Sequence, residues 1–195
     1  MPRAPAAAVK NIRSAVADRL RVIINDKDDC GINMKQPVDQ KDTYLVGVIS
    51  DTHGLLRPEV LQLFENVDLV LHAGDIGEPK VLEDLQKVAP VTAVRGNMDY
   101  GSWAWDLPEF ERVQLGNTEI FLVHDLFGIH FGGADNGIHA VISGHTHRPK
   151  VDMRNDILFI NPGSAGYRSR LNPVSVGLLT IDSGQLDAKI IALDV

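Results

Sequence analysis

The sequence has few of the features that mark secreted, membrane or nucleic-acid-binding proteins. Cys30 is the only cysteine among 195 residues, so no disulfide can form within the chain and nothing requires an oxidising compartment. There is no run of about 18 apolar residues to form a transmembrane helix, and no apolar core of a signal peptide. The net charge of −7 argues against a non-specific nucleic-acid binder. We therefore expect a cytoplasmic protein whose partners are neither membranes nor nucleic acids.

The composition is that of a globular protein with an unusual distribution of histidine. Hydrophobic residues make up 44% of the chain and charged residues 23%, which excludes a disordered or fibrous protein. All seven histidines lie between His53 and His147, and several stand beside Asp or Gly. This clustering is the first indication of a functional site.

The chain divides into two parts of opposite charge. Residues 1–43 hold eight Lys and Arg against six Asp, whereas residues 44–195 carry a net charge of −9. Apolar residues recur at helical spacing in the first part, and a polar stretch follows. We predict that residues 1–43 are an N-terminal extension with an accessory helix or a disordered tail, and a linker. An organelle transit peptide is the alternative, which Asp18 and the scarcity of Ser disfavour.

Strands and helices alternate in the first half of residues 44–195. Apolar runs of strand length occur at 44–50, 68–73 and 91–95, and helical patterns at 58–65 and 78–88 separate them. This alternation predicts βαβ units and a largely parallel sheet, hence an α/β fold.

The second half is richer in strands. Pairs of strand-like segments flank three two-residue turn signals, which predicts three hairpins. The turn residues are Gly116-Asn117, Asn155-Asp156 and Ser183-Gly184.

Polar side chains follow the predicted strands at the points where they end. Because functional groups of α/β proteins gather outside the carboxyl ends of strands, we expect these side chains to meet at one edge. They belong to five segments in chain order, Asp51-Thr52-His53-Gly54, Gly74-Asp75-Ile76-Gly77, Gly96-Asn97-Met98-Asp99, Val123-His124-Asp125 and Gly144-His145-Thr146-His147.

The chemistry of these side chains indicates divalent metal. Carboxylate, amide oxygen and imidazole suit divalent ions of intermediate softness, and the set contains no thiolate, which excludes a structural zinc cluster of cysteines. Seven of these side chains, namely Asp51, Asp75, Asn97 and four histidines, are too many ligands for one ion but suit two ions that share a bridging carboxylate and act on a phosphoryl group. Each segment alone is a weak signal, since Gly-Asp and Gly-Asn pairs are commonly turns. Their joint occurrence at strand ends is the specific observation.

The five ordered segments resemble those of the calcineurin-like metallophosphoesterase superfamily, and in particular its small bacterial and archaeal phosphodiesterases. The resemblance covers residues 44–195 and implies a metallophosphoesterase domain with a four-layer α/β/β/α sandwich of two mixed sheets. It also implies hydrolysis of phosphodiester bonds in a small substrate, with a metal-bridging hydroxide as nucleophile. The cofactors would be two divalent ions, with Mn, Fe, Zn and Co as the candidates.

The resemblance also implies roles for individual residues. Asp75 would bridge the two ions, and Asn97 would also lie near the phosphoryl oxygens, so both count as catalytic. The first ion would be held by Asp51, His53 and His147, and the second by Asn97, His124 and His145.

Two positions depart from the family pattern. Met98 stands where many relatives carry a histidine that protonates the leaving group or contacts phosphate, and a thioether cannot donate a proton. Asp125 replaces a usual glycine and could orient His124, alter the field of the second metal or point to solvent. Further candidates around the metals or substrate are Asp99, Arg168 and, with less support, His72.

Three functions remain open from the sequence. The first is a phosphodiesterase, and the second is a phosphomonoesterase that acts on nucleotides or proteins. The third is a protein-interaction scaffold like the retromer subunit that shares this fold. Filled ligand positions favour an enzyme. The oligomeric state is undetermined, with a homo-oligomer as one option.

Overall fold

A computed structural model describes residues 41–129, 137–167 and 172–195. The prediction for residues 1–43 lies almost wholly outside these ranges and stays a prediction. Ten strands are described, namely β1 (Thr43–Ile49), β2 (Leu69–His72), β3 (Val91–Ala93), β4 (Phe110–Leu115), β5 (Thr118–Val123), β6 (Ala140–Ile142), β7 (Lys150–Arg154), β8 (Ile157–Asn161), β9 (Ser175–Asp182) and β10 (Gln185–Ala192). The described helices are α1 (Pro58–Leu63), α2 (Pro79–Leu85) and α3 (Ser102–Trp105).

The strands form two mixed five-stranded sheets. The first has the order β10-β9-β1-β2-β3, in which β1, β2 and β3 run parallel and β9 is antiparallel to both of its neighbours. The second has the order β4-β5-β6-β8-β7, with β5, β6 and β8 parallel. The predicted α/β class with two mixed sheets is confirmed. The carboxyl ends of the parallel strands carry the five polar segments.

The two sheets pack face to face through a continuous apolar core. Val46 and Leu71 of the first sheet belong to the same buried cluster as Ile120 and Ile142 of the second. A separate cluster on the outer face of the first sheet includes Phe64 and buried residues of α1 and α2. Among the described residues, no helix has the length and apolar character needed to cross a membrane.

The contact between α1 and the first sheet depends on a small residue in β1. Phe64, at the carboxyl end of α1, is fully buried directly above Gly47. An added Cβ on Gly47 would lie 3.0 Å from the Phe64 ring, so the glycine makes room for the aromatic side chain.

Local sequence signals account for the boundaries of most elements. Proline occupies the first turn of both α1 and α2, where its missing N–H is not needed. All three predicted hairpins are confirmed, each with a two-residue loop. Both helices end earlier than predicted, because their last turns tighten to i→i+3 hydrogen bonds such as Val88 N–H to the Leu85 carbonyl at 3.0 Å.

Candidate metal centre

Backbone hydrogen bonds between loops continue the sheet beyond the strand ends. Asp51 N–H donates to the Gly74 carbonyl at 3.0 Å, and His53 N–H donates to the Asp75 carbonyl at 2.9 Å. Gly144 N–H donates to the His124 carbonyl at 3.0 Å, which joins two loops of the second sheet in the same way. Neighbouring loops are therefore held side by side in the same register as the strands that precede them.

Five of the seven predicted ligands adopt left-handed backbone conformations, which cost free energy for residues other than glycine. Each such residue costs on the order of 1–3 kcal/mol and persists only where the surrounding structure enforces it. Strain of this kind clusters at functional sites, and the hydrogen-bonded loops supply the enforcement. The residues and their φ angles are Asp51 (54°), His53 (48°), Asp75 (52°), His145 (65°) and His147 (54°).

The first group of converging ligand atoms comes from Asp51, His53 and His147. His147 Nε2 lies 3.1 Å from Asp51 Oδ1 and 3.4 Å from His53 Nε2. One ligand atom from each residue lies within 4.8 Å of the others, as a metal ion would require.

The second group lies around Asn97. Its Oδ1 is 2.9 Å from His124 Nε2 and 2.9 Å from His145 Nδ1. Asp75 lies between the groups, with its Oδ2 3.4 Å from His124 Nε2 and 4.0 Å from His53 Nε2. The seven predicted ligands therefore lie together at one edge.

Burial of the two aspartates disfavours their negatively charged forms. Asp51 is fully buried and Asp75 is 3% exposed. Burial raises the pKa of Asp51, although the Ser50 hydroxyl and nearby imidazoles oppose that shift. Burial also acts to raise the pKa of Asp75, but the His124 ring and the Met98 N–H outweigh it, so this pKa is lowered. For His124, burial acts to lower the pKa, but the Asp75 carboxylate and the Ala73 carbonyl outweigh it, so this pKa is raised.

The residues present fit divalent metal ions. Asp51 Oδ1 is buried and receives no hydrogen bond from the described residues, while its Oδ2 accepts from Ser50 Oγ at 2.6 Å and from His145 N–H at 3.1 Å. One carboxylate oxygen is thus fixed by donors, while the other accepts no hydrogen bond from the described residues and lies 3.1 Å from His147 Nε2, so that both atoms could bind one cation. Mixed oxygen and imidazole donors suit transition metals of intermediate softness.

The candidates around the ligands occupy different positions. Asp99 is 4% exposed, and its carboxylate accepts from Gly77 N–H and Gly96 N–H, both at 2.8 Å, so it joins the two loops that carry Asp75 and Asn97. Asp125 Oδ2 lies 3.7 Å from His145 Nε2. The Ala73 carbonyl, 2.8 Å from Nδ1, orients His124 instead. Arg168 lies outside the described residues.

Two further side chains, those of Asn161 and Ser164, hold the loops that carry candidate ligands, and sequence analysis did not single them out. Asn161 Nδ2 donates to the Gly144 carbonyl at 2.6 Å, which holds the loop that carries His145. Ser164 Oγ donates to the Asp51 carbonyl at 2.9 Å. Both contacts join residues far apart in the chain, so local sequence patterns do not reveal them.

His72 is fully buried behind the ligand loops in a neutral form. Thr52 Oγ1 donates to the Ile76 carbonyl at 2.9 Å, so at its 3.0 Å contact with His72 it can only accept, from Nε2–H. Burial, together with the positive neighbour His124, lowers the pKa of His72 to about 3. The ring therefore links the loops after β1 and β2 through an uncharged hydrogen bond.

This burial predicts a pH dependence of stability in the metal-free protein. The unfolded ring binds a proton at a pKa of about 6.5 whereas the folded ring does not, so the stabilising contribution is complete above about pH 6.5. It is lost as the pH falls towards 3, at about 1.4 kcal/mol per pH unit. The free energy of unfolding should be measured with denaturant between pH 6.5 and 4.5 for the unsubstituted protein and for His72→Gln. We expect it to fall less steeply with decreasing pH in His72→Gln, which lacks the buried imidazole. Parallel curves for the two proteins would contradict the assignment.

Comparison with known proteins identifies the family. Residues 44–184 match the model of the calcineurin-like phosphoesterase superfamily domain. A probable metallophosphoesterase of Methanothermobacter thermautotrophicus is 42% identical over 159 residues, which cover 75% of this chain and 91% of that protein. The chain therefore belongs to the calcineurin-like phosphoesterase superfamily. The predicted enzyme class, a metal-dependent phosphoesterase, is confirmed at the level of the family.

Two solved structures illustrate the range of proteins with this fold. An archaeal phosphodiesterase superposes with a TM-score of 0.65 at 25% identity, and the match covers 76% of this chain and 99% of the other. Vacuolar Protein Sorting 29 from Cryptosporidium parvum gives a TM-score of 0.62 at 22% identity, covering 77% and 98%. The second similarity is one of fold alone.

Proposed function

We propose that the protein is a phosphodiesterase that depends on two divalent metal ions. The observation that carries this proposal is the position of the Asp75 carboxylate between two sets of ligand atoms. Its Oδ2 faces His124 on one side and His53 on the other, at 3.4 and 4.0 Å. A carboxylate in that position suits two ions that share one ligand.

The candidate ligand atoms would divide between two ions according to their proximity to one another. When bound, such ions lower the pKa of water and neutralise the charge that develops on phosphoryl oxygens. Buried Asp51, with one oxygen that accepts no hydrogen bond from the described residues, supports a cation in the first group. Asp51, His53 and His147 would hold one ion, Asn97, His124 and His145 the other, and Asp75 both.

Besides its role as a ligand, Asn97 would donate a hydrogen bond to the substrate. Its Oδ1 faces the two imidazoles, which leaves the amide NH₂ as a donor. The residue is exposed at the edge of the site, so this donor can reach a phosphoryl oxygen of the substrate. A donor there stabilises negative charge as it increases during the reaction.

Met98 favours diesters that release a good leaving group. It is half exposed beside the proposed metals, and its thioether supplies no proton to a departing alkoxide. A phosphomonoesterase remains the alternative within the same chemistry. An interaction scaffold has less support, because stability of the fold comes from the apolar clusters and does not require seven converging ligands.

A metal-reconstitution experiment tests the proposal. Metal-free protein should be loaded with Mn²⁺, Fe²⁺, Zn²⁺ or Co²⁺ and assayed on bis(4-nitrophenyl) phosphate and 4-nitrophenyl phosphate, which share a leaving group. We expect the diester to be hydrolysed faster with at least one metal. Faster hydrolysis of the monoester would support the phosphomonoesterase, and absence of metal binding by calorimetry would support the scaffold.

Substitution of Met98 by histidine tests the role of the missing proton donor. Met98→His should accelerate hydrolysis of diesters with poor leaving groups, because general acid help is worth about 10²–10⁴-fold when fully effective. Diesters with 4-nitrophenolate as leaving group should respond little. The measurement is kcat/KM against leaving-group pKa, where the variant should show a flatter dependence. An active variant with an unchanged slope would contradict this role.

A further inference from the structure

A cavity of about 410 Å³ opens directly beside the proposed metal ligand His53. Its size falls in the range of about 300–1,000 Å³ that is typical of sites for organic ligands. Besides His53, the residues that line it are Gly77, Met98 and Tyr167, none of which carries a charge. The cavity is therefore suited to an uncharged group attached to the phosphate that the metals would bind.

Gly77, one of the residues that line the cavity, packs its backbone closely against the loop that carries His53. Gly77 has a φ of +87°, and an added Cβ would overlap Gly54 N and lie 2.8 Å from His53 Cα. Its N–H donates to Asp99 Oδ1 at 2.8 Å, which fixes this part of the lining. The position of Gly77 beside His53 is therefore set by backbone packing and by this hydrogen bond.

The walls are an aromatic ring and a thioether, both open to solvent. The Tyr167 ring lies 5.6 Å from the His53 ring, between centroids, and the residue is 56% exposed. Met98 is 50% exposed, and its N–H donates to Asp75 Oδ1 at 2.7 Å, which fixes this wall beside the proposed bridging carboxylate. Both walls thus lie next to proposed metal ligands, and both expose apolar surface that a ligand could cover.

On the basis of the proposed function, we propose that this cavity binds a flat aromatic group esterified to the phosphate. Such a group can stack on the Tyr167 ring and contact the Met98 sulfur, since aromatic pairs and sulfur–aromatic contacts are favourable beyond the burial of area. A small aliphatic group would leave both walls exposed. The cavity would therefore select substrates that carry an aryl ester group.

Two phosphonates provide a test that does not depend on turnover. Phenylphosphonate and methylphosphonate share the anionic head and differ only in the group that would enter the cavity. With metal-reconstituted protein, titration calorimetry should show phenylphosphonate binding about tenfold more tightly, the scale expected from one stacked ring. Tyr167→Ser and Met98→Ser should each reduce this ratio, whereas Tyr167→Phe retains the ring and should preserve it.

A matched control separates the cavity from general effects of losing an exposed methionine. Met153, 58% exposed on β7, does not line the cavity, and Met153→Ser should leave the ratio unchanged. Equal affinity for the two phosphonates in the unsubstituted protein would overturn the cavity assignment alone. So would a ratio retained in both serine variants at the walls. Absence of binding by either phosphonate would overturn the proposed function together with this inference.

Discussion

Asp75→Asn should lower kcat/KM for phosphodiester hydrolysis by about 10²–10³-fold, the equivalent of a few kcal/mol of transition-state stabilisation. The carboxylate faces His124 at 3.4 Å and His53 at 4.0 Å, and it would be shared by both ions. The amide keeps the size of the side chain but removes its negative charge, so at least one ion should bind more weakly. Metal content and kcat/KM should be measured on the same preparation.

A second carboxylate provides the control for this experiment. Asp187 lies on β10, exposed, and pairs only with Lys189 at 3.6 Å among the described contacts. Asp187→Asn makes the same chemical change away from the site and should retain activity and metal content. Full activity of Asp75→Asn would disprove the bridging role.

Gly96→Ala should destabilise the protein by about 1–3 kcal/mol, as overpacking of a close contact does. An added Cβ would overlap Asp75 N and Oδ1 and lie 2.9 Å from Asp75 Cα. Relief of this overlap must move the Asp75 carboxylate, and a displacement of about 1 Å at an active site can cost about 10²-fold in rate. Denaturant unfolding and metal titration together measure both effects.

A distant glycine separates loss of stability from loss of the site. Gly184, in the β9–β10 turn, has a φ of +83° and no atom within 4 Å of an added Cβ. Gly184→Ala should therefore lose stability through backbone strain while it keeps its metal affinity. If Gly96→Ala bound metal as tightly as Gly184→Ala, the close approach of Gly96 to Asp75 would have no functional role.

Much of the fold was predictable because its signals are local. Proline in the first turn marked two helices, and turn residues marked three hairpins, each of which depends on a few neighbouring residues. Helix ends were less predictable. The last turns of α1 and α2 tighten just before the chain enters β2 and β3 of the first sheet, and the periodicity of apolar residues did not indicate where this happens.

The candidate site was predictable in its residue types and not in its contacts. Gly–Asp and Gly–Asn turns after buried strands indicated which side chains meet at the sheet edge. Asp125 illustrates the limit, because it follows His124 in sequence yet lies beside His145. Tyr167 is a second example, because its ring contacts the His53 ring although the two residues are 114 positions apart in the sequence.

The sequence by itself determined the types of the candidate metal ligands, their order at strand ends and the membership of a phosphoesterase family. Only the tertiary structure decided that Asp75 lies between two ligand groups, that His72 is buried neutral and that Met98 and Tyr167 face one cavity. The physical reason is the separation along the chain of the residues that interact. Turn chemistry and strand patterns depend on neighbours in the chain, whereas burial, pKa and the walls of a cavity depend on how two sheets and their loops pack together.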